Sequence, residues 1–267
     1  RRTPRQELVE SGVWWGRLFS VSTESEDELD DEKRDLYNSA INSPGGNLTE
    51  ALLVDAQDAR KVNKSLPAWI LNAIGKAASA NGLQGAMARA VLLRHISFVM
   101  SLEVSEAAAS LVRHVSGNSV EAVALRAVLI GHGNITPKAF REFSDGIKLG
   151  LKEVDEVKVN SKAAAATILS PGISIILEEA GPEVWGIDLD EIGDIFRSGS
   201  SALRTGAADV LSQWVQQIEG GPEMTWRTAI GPLLARIWPR ERALRDAGVS
   251  SHFAALAVGS GEAFPEA

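Results

Sequence analysis

The chain has no cysteine among its 267 residues, which excludes disulfides and thiolate metal sites. Aromatic residues make up only 6%, with a single tyrosine, so packing must rest on Ala, Leu, Val and Ile, with seven tryptophans as anchors. No apolar run approaches the roughly 20 residues that a membrane-spanning helix needs. Residues 1–20 are basic and then aromatic, without the continuous apolar stretch of a signal peptide. Neither a GxxxxGK[ST] phosphate loop nor a GxSxG nucleophile elbow occurs. A net charge of -8 argues against indiscriminate nucleic-acid binding by the whole surface. These absences lead us to expect a cytoplasmic chain with no membrane partner and no cofactor.

What is present is a globular composition, 45% hydrophobic. The stretch Leu66–Gly133 is its centre, with four apolar helical segments separated by short Gly, Asn and Ser turns. Upstream, residues 5–20 read as a short helix bearing Trp14 and Trp15. An acidic run, 24–35, follows with eight acids against Lys33 and Arg34 and reads as a solvated loop. Leu36–Ile41 has helical spacing. Ser43-Pro44-Gly45-Gly46 reads as a turn, with Asn47 and Glu50 forming a capping box for the next helix.

Further along, Asn81-Gly82 ends a helix, and 87–102 reads as one helix that is apolar nearly all round. Ser105 and Ser119 start two more. Thr136-Pro137 is a cap followed by proline at the first helical position. Asn160 or Ser161 opens a helix that Ser170-Pro171-Gly172 breaks, and 173–179 continues as helix. Asp188 and Ser200 or Ser201 start the next two. Pro232 should kink or split the helix over 225–238, and Pro239 should end it.

The expected fold is therefore all-α: about a dozen helices in an irregular stack of antiparallel pairs, HEAT-like in shape, with no exact repeat at a fixed period. Residues 1–35 form an N-terminal segment and 36–267 a single helical domain, with a candidate subdivision near 137–161. From the start at Arg1 and the end at Ala267, where another helix should begin, we expect the chain to be an excerpt of a larger protein.

Chemistry-bearing groups have bland readings. Asp188, Asp190, Glu191 and Asp194 have the spacing of an acidic first helical turn, favoured by the helix dipole, rather than of a metal site. Asp55, Asp58 and Lys61 lie on a helix, where a nuclease-like set is not expected. His95, His114, His132 and His252 are scattered, with no carboxylate partner evident in sequence. Gly131-His132-Gly133 and Gly259-Ser260-Gly261 read as helix-ending turns. No catalytic, cofactor or metal residue is assigned, and the chain is expected not to be an enzyme.

The residues that could meet a partner are the paired Trp14 and Trp15, Trp238, and the arginines Arg236, Arg240, Arg242 and Arg245. Aromatic anchors suit a protein interface. The arginines could instead track a phosphate backbone, provided they form one basic face. That gives a first expectation of an interaction module and an alternative of a nucleic-acid-binding module.

Trp14-Trp15, the hairpin NSPGGNLTEALL at 42–53 and the ending IWPRERALRDAGVSSHFAALAVGSGEAFPEA together resemble the helical region of unknown function that follows sirtuin-like domains in large bacterial proteins linked to phage defence. The likeness covers most of the chain and rests on turns and packing anchors. It implies a scaffold or regulatory region beside a separate NAD-hydrolysing domain, with other domains of the same polypeptide or partner subunits as its partners. None of the catalytic features of such a domain occurs in these residues.

Overall fold

The computed structural model describes residues 4–24, 35–62, 65–132, 135–155, 159–217, 220–244 and 247–263. It is all-α: among the described residues there is no strand, and consecutive helices pair across short turns. The chain divides into two compact units, Arg1–Leu129 and Ile130–Ala267, upstream of the stretch 137–161. The acidic run lies outside the described residues except for its ends, where Asp35 caps the following helix by accepting from the Asn38 N–H.

The first unit holds α1 (Pro4–Ser22), α2 (Leu36–Ala40), α3 (Pro44–Val62), α4 (Ala68–Ser79), α5 (Gly82–Arg94), α6 (Ile96–Ser101), α7 (Ser105–Val115) and most of α8 (Val120–His132). Its centre is α5, buried on every side from Ala86 to Leu93 and packed on α2, α3 and α4. An apolar helix without a polar face has no other stable place. The expected single helix over 87–102 is interrupted at His95, whose backbone (φ -104°, ψ 26°) ends α5 before α6 begins.

A second difference lies at Pro44-Gly45-Gly46, which is the first turn of α3 and not a loop. Ser43 is the residue at its start, its Oγ accepting from the Gly46 N–H at 3.0 Å, and Pro44 takes the proline-tolerant first position. The two glycines serve close approach. A Cβ on Gly46 would lie 1.9 Å from the Ala40 carbonyl oxygen, and one on Gly45 would lie 2.5 Å from that of Gln84.

The second unit holds α9 (Pro137–Glu142), α10 (Ser144–Lys152), α11 (Ser161–Ile176), α12 (Pro182–Trp185), α13 (Leu189–Ser198), α14 (Ser201–Gln217), α15 (Pro222–Thr225), α16 (Gly231–Ile237) and α17 (Ala247–Gly259). Here α14 packs between α11 and α17, and α13 packs on α16. Gly206 lets α14 touch the start of α11: a Cβ there would sit 2.4 Å from the Ser161 carbonyl oxygen.

Pro171 does not break its helix as its local effect predicts, whereas the run holding Pro232 is divided into α15 and α16. α11 runs through the buried Pro171 to Ile176. Packing holds it there: Pro171 is buried, and α11 lies against α13, α14 and α16. Pro232 is absorbed by a wide, π-helical turn over Trp226–Ile230, in which the Gly231 N–H reaches back to Trp226 O. Such turns insert one residue into a helix and relieve its hydrogen-bond register. Pro239 does end α16, leaving Trp238 extended (ψ 128°) as the residue before a proline must be.

Candidate interaction surface

Trp14 and Trp15 are neighbours with opposite fates. Trp15 is buried. Its indole N–H donates to Leu48 O at 2.7 Å, and its ring stacks on Phe19 at 4.6 Å. This face fixes α1 to α3 and α4, so Trp15 is a packing anchor and not an exposed contact. Trp14 is 61% exposed. Val13, Leu18 and Val21 are exposed with it. Positions 14, 18 and 21 recur at helical spacing, so they form an apolar row along the outer side of α1. Exposed apolar residues scattered singly are ordinary, whereas these three share one helix face.

Trp238 is half-buried between Phe196 (5.7 Å between ring centres) and Phe253 (4.7 Å). Its ring thereby ties α13 to α17 inside the second unit. The arginines are exposed but stand among acids. Arg236 faces Asp190 at 3.4 Å, with both side chains largely in water. Arg197 bonds Asp194 and feels Glu241 and Asp190. Arg240 and Arg242 are exposed beside Glu241, and Arg245 lies outside the described residues.

The acidic cluster at the start of α13 is structural, as its spacing implies. Glu191 N–H donates to Asp188 Oδ1 at 2.8 Å and Asp188 N–H to Glu191 Oε2 at 3.3 Å, a reciprocal capping box. Lys148 reaches Glu191 at 2.8 Å. Asp58 pairs with Lys61 at 2.9 Å on α3, and the Asp55 carboxyl is raised, first by burial and then by Asp58. No group of three or more His, Asp or Glu among the described residues is placed to hold a metal ion.

Three histidines do have carboxylate partners, each on another helix and so invisible in sequence. His95 Nε2 lies 3.3 Å from Glu50, His114 Nδ1 3.4 Å from Glu121, and His252 Nδ1 3.8 Å from Asp209. Two of these pairs carry a cation as well. Arg89, at 1% exposure, donates through Nε to Glu121 Oε1 at 2.7 Å, and its Nη2 lies 2.6 Å from the same oxygen. Burial, the largest influence, pushes the Glu121 carboxyl up. Hydrogen bonds and charge from His114 and Arg89 outweigh it and hold the group below its ordinary range. Asp209 repeats this balance: burial raises it, and Lys162, Gln213 and His252 bring it down further.

Sequence reasoning missed three buried arginines, Arg89, Arg126 and Arg204. Each bonds backbone carbonyls at the end of the preceding helix. Arg89 Nη1 reaches Ala80 O, Arg126 Nη1 reaches Val115 O (2.8 Å) and Gly117 O (2.5 Å), and Arg204 Nη1 reaches Phe196 O (3.1 Å) and Gly199 O (2.6 Å). These carbonyls are the groups a helix leaves unsatisfied. The signal was there, since a lone arginine inside ARAVLL or LRAVLI must find acceptors.

The comparisons with known proteins add one relative. No family model matches the chain. It is 28% identical over 256 residues to the uncharacterized protein y4cA of Sinorhizobium fredii (strain NBRC 101917 / NGR234). That match covers 95% of this chain and 21% of the relative, so the chain spans about a fifth of that protein's length. No solved structure matches it significantly. No helix among the described residues is long and apolar enough to cross a membrane.

Proposed function

We infer that this chain is a non-enzymatic helical interaction module that docks other domains of a longer polypeptide. The observation that carries this reading is the outer row of α1, where Trp14, Leu18 and Val21 stand exposed on a helix fixed by its inner face. A tryptophan so placed offers roughly 150–250 Å2 of rigid surface to a partner. The occupant we assign is a domain of the same polypeptide. What supports it is the Sinorhizobium fredii relative, which carries the matching region within a much longer chain.

A narrower reading takes its support from the sequence resemblance alone: the docked domain is sirtuin-like and hydrolyses NAD, and the module regulates it in phage defence. Catalysis in either reading belongs outside these residues, and a cytoplasmic setting is part of the same proposal. Nucleic-acid binding gains no support from the surface around Arg236, Arg240 and Arg242, because Asp190, Asp194 and Glu241 interrupt its positive charge.

The test is to express the chain apart from the flanking polypeptide, mix the two, and follow co-elution. Association that the double variant Trp14→Ser with Leu18→Ser abolishes, in a chain that still folds, is the expected result. No association, or association indifferent to both substitutions, overturns the docking reading.

A further inference from the structure

The stretch 68–132 contains a period that composition and apolar patterning hide. Residues 81–95 read NGLQGAMARAVLLRH, and 37 residues further on 118–132 read NSVEAVALRAVLIGH. Six of these fifteen positions are identical: Asn81 and Asn118, Arg89 and Arg126, Ala90 and Ala127, Val91 and Val128, Leu92 and Leu129, His95 and His132.

The structure gives the matched arginines matched roles. Both stretches form a helix that follows another across a short turn, α5 after α4 and α8 after α7. Both arginines are 1% exposed, a rare state for this residue. Arg89 donates to Ala80 O and Arg126 to Gly117 O, and those acceptors are themselves 37 residues apart. The same hydrogen bond therefore recurs at the same offset. The first helices agree as well: Ile74 and Leu111 are buried, as are Ala78 and Val115, while Lys76 and Arg113 face water.

We propose that residues 68–95 and 105–132 are two copies of one helical-hairpin repeat, each closed by its buried arginine. The two copies stack at both layers. Ser110 Oγ on α7 donates to Ala78 O on α4 at 3.0 Å, and Arg89 on α5 meets Glu121 on α8 at 2.6 Å. Arg89 thus closes its own hairpin and joins it to the next. In the second unit the lock recurs once with altered spacing: Arg204, in Ala202-Leu203-Arg204, reaches Gly199 O as Arg126, in Ala124-Leu125-Arg126, reaches Gly117 O. This goes beyond the docking reading and does not depend on it.

The test grafts one copy into the other. A chain whose residues 83–93 are replaced by the sequence of 120–130 is compared with one carrying the sequence of 122–132 in the same place. Arg89→Met and Arg126→Met are made alongside. The repeat predicts that the matched graft keeps helical circular dichroism and one cooperative urea transition while the shifted graft loses both. It also predicts that each arginine variant lowers the folding constant by about a hundredfold or more, as expected when a buried charge's partners are stranded. A matched graft that does no better than the shifted one, or either arginine replaceable without loss, overturns the repeat.

Discussion

The two units build the same constellation, a carboxylate between a histidine and a cation, with opposite exposure. In the first, Glu121 meets His114 and Arg89, and the arginine is 1% exposed. In the second, Asp209 meets His252 and Lys162, whose side chain is 50% exposed. Both carboxyls are held below their ordinary range against the push of burial. Burial of the cation should separate their worth. A guanidinium sealed among apolar side chains cannot fall back on water when its partner is lost, whereas a lysine half in water can.

Three predictions sharpen that contrast. The largest concerns Glu121→Ala, which strands Arg89. Urea unfolding should show a loss of about 3–5 kcal/mol, whereas Asp209→Ala should cost about 1 kcal/mol or less. Equal losses would remove the distinction. Next is pH. Each group's folded pKa is depressed, so each contributes stability that is present above the unfolded carboxylate value of about 4 and is lost as pH falls through the folded one. Urea midpoints should therefore drop as pH is lowered below about 4, and Glu121→Gln should flatten that drop more than Asp209→Asn. Asp55, whose pKa is raised, works in the opposite sense and partly offsets the drop. A midpoint that climbs on acidification would contradict this assignment.

The smallest effect belongs to the surface row of α1. Trp14→Ser should change stability by less than about 0.5 kcal/mol, as for an exposed surface position, while Trp15→Ser should cost about 3 kcal/mol or more through lost packing of the buried ring and its hydrogen bond. Thermal melts of the two variants measure this directly, the Trp15 loss coming from packing, since Leu48 O keeps its place in the α3 hydrogen-bond ladder. A destabilised Trp14 variant would mean that the residue serves the unit itself.

Those adjacent tryptophans also show how far the sequence could be read. Several helix starts were legible because capping is local: Ser119, Asn160, Asp188 and Ser200 each accept a backbone N–H of their own helix's first turn, whereas Asn47 lies inside α3, which Ser43 caps, and Thr136 makes no side-chain cap bond. Apolar periodicity was enough for the all-α class. Prolines misled where packing overrode propensity, as at Pro171 within α11. Pro44-Gly45-Gly46 misled because two glycines serve tight packing as readily as a turn. The partners of His95, His114 and His252 could not be read, since they sit on other helices. Nor could the inward tryptophan be told from the outward one, because α1 carries aromatic or aliphatic residues on both faces.

The claim that Trp14 and its row dock another domain of a longer polypeptide is tested most directly by fluorine NMR. The tryptophans are replaced by a fluorinated analogue, and the Trp14 resonance is assigned with Trp14→Phe. In the isolated chain that resonance should respond to solvent, as its 61% exposure requires. In the longer polypeptide it should shift and lose its solvent response while the Trp15 resonance stays in place. A Trp14 resonance with the same position and solvent response in both contexts would contradict the account.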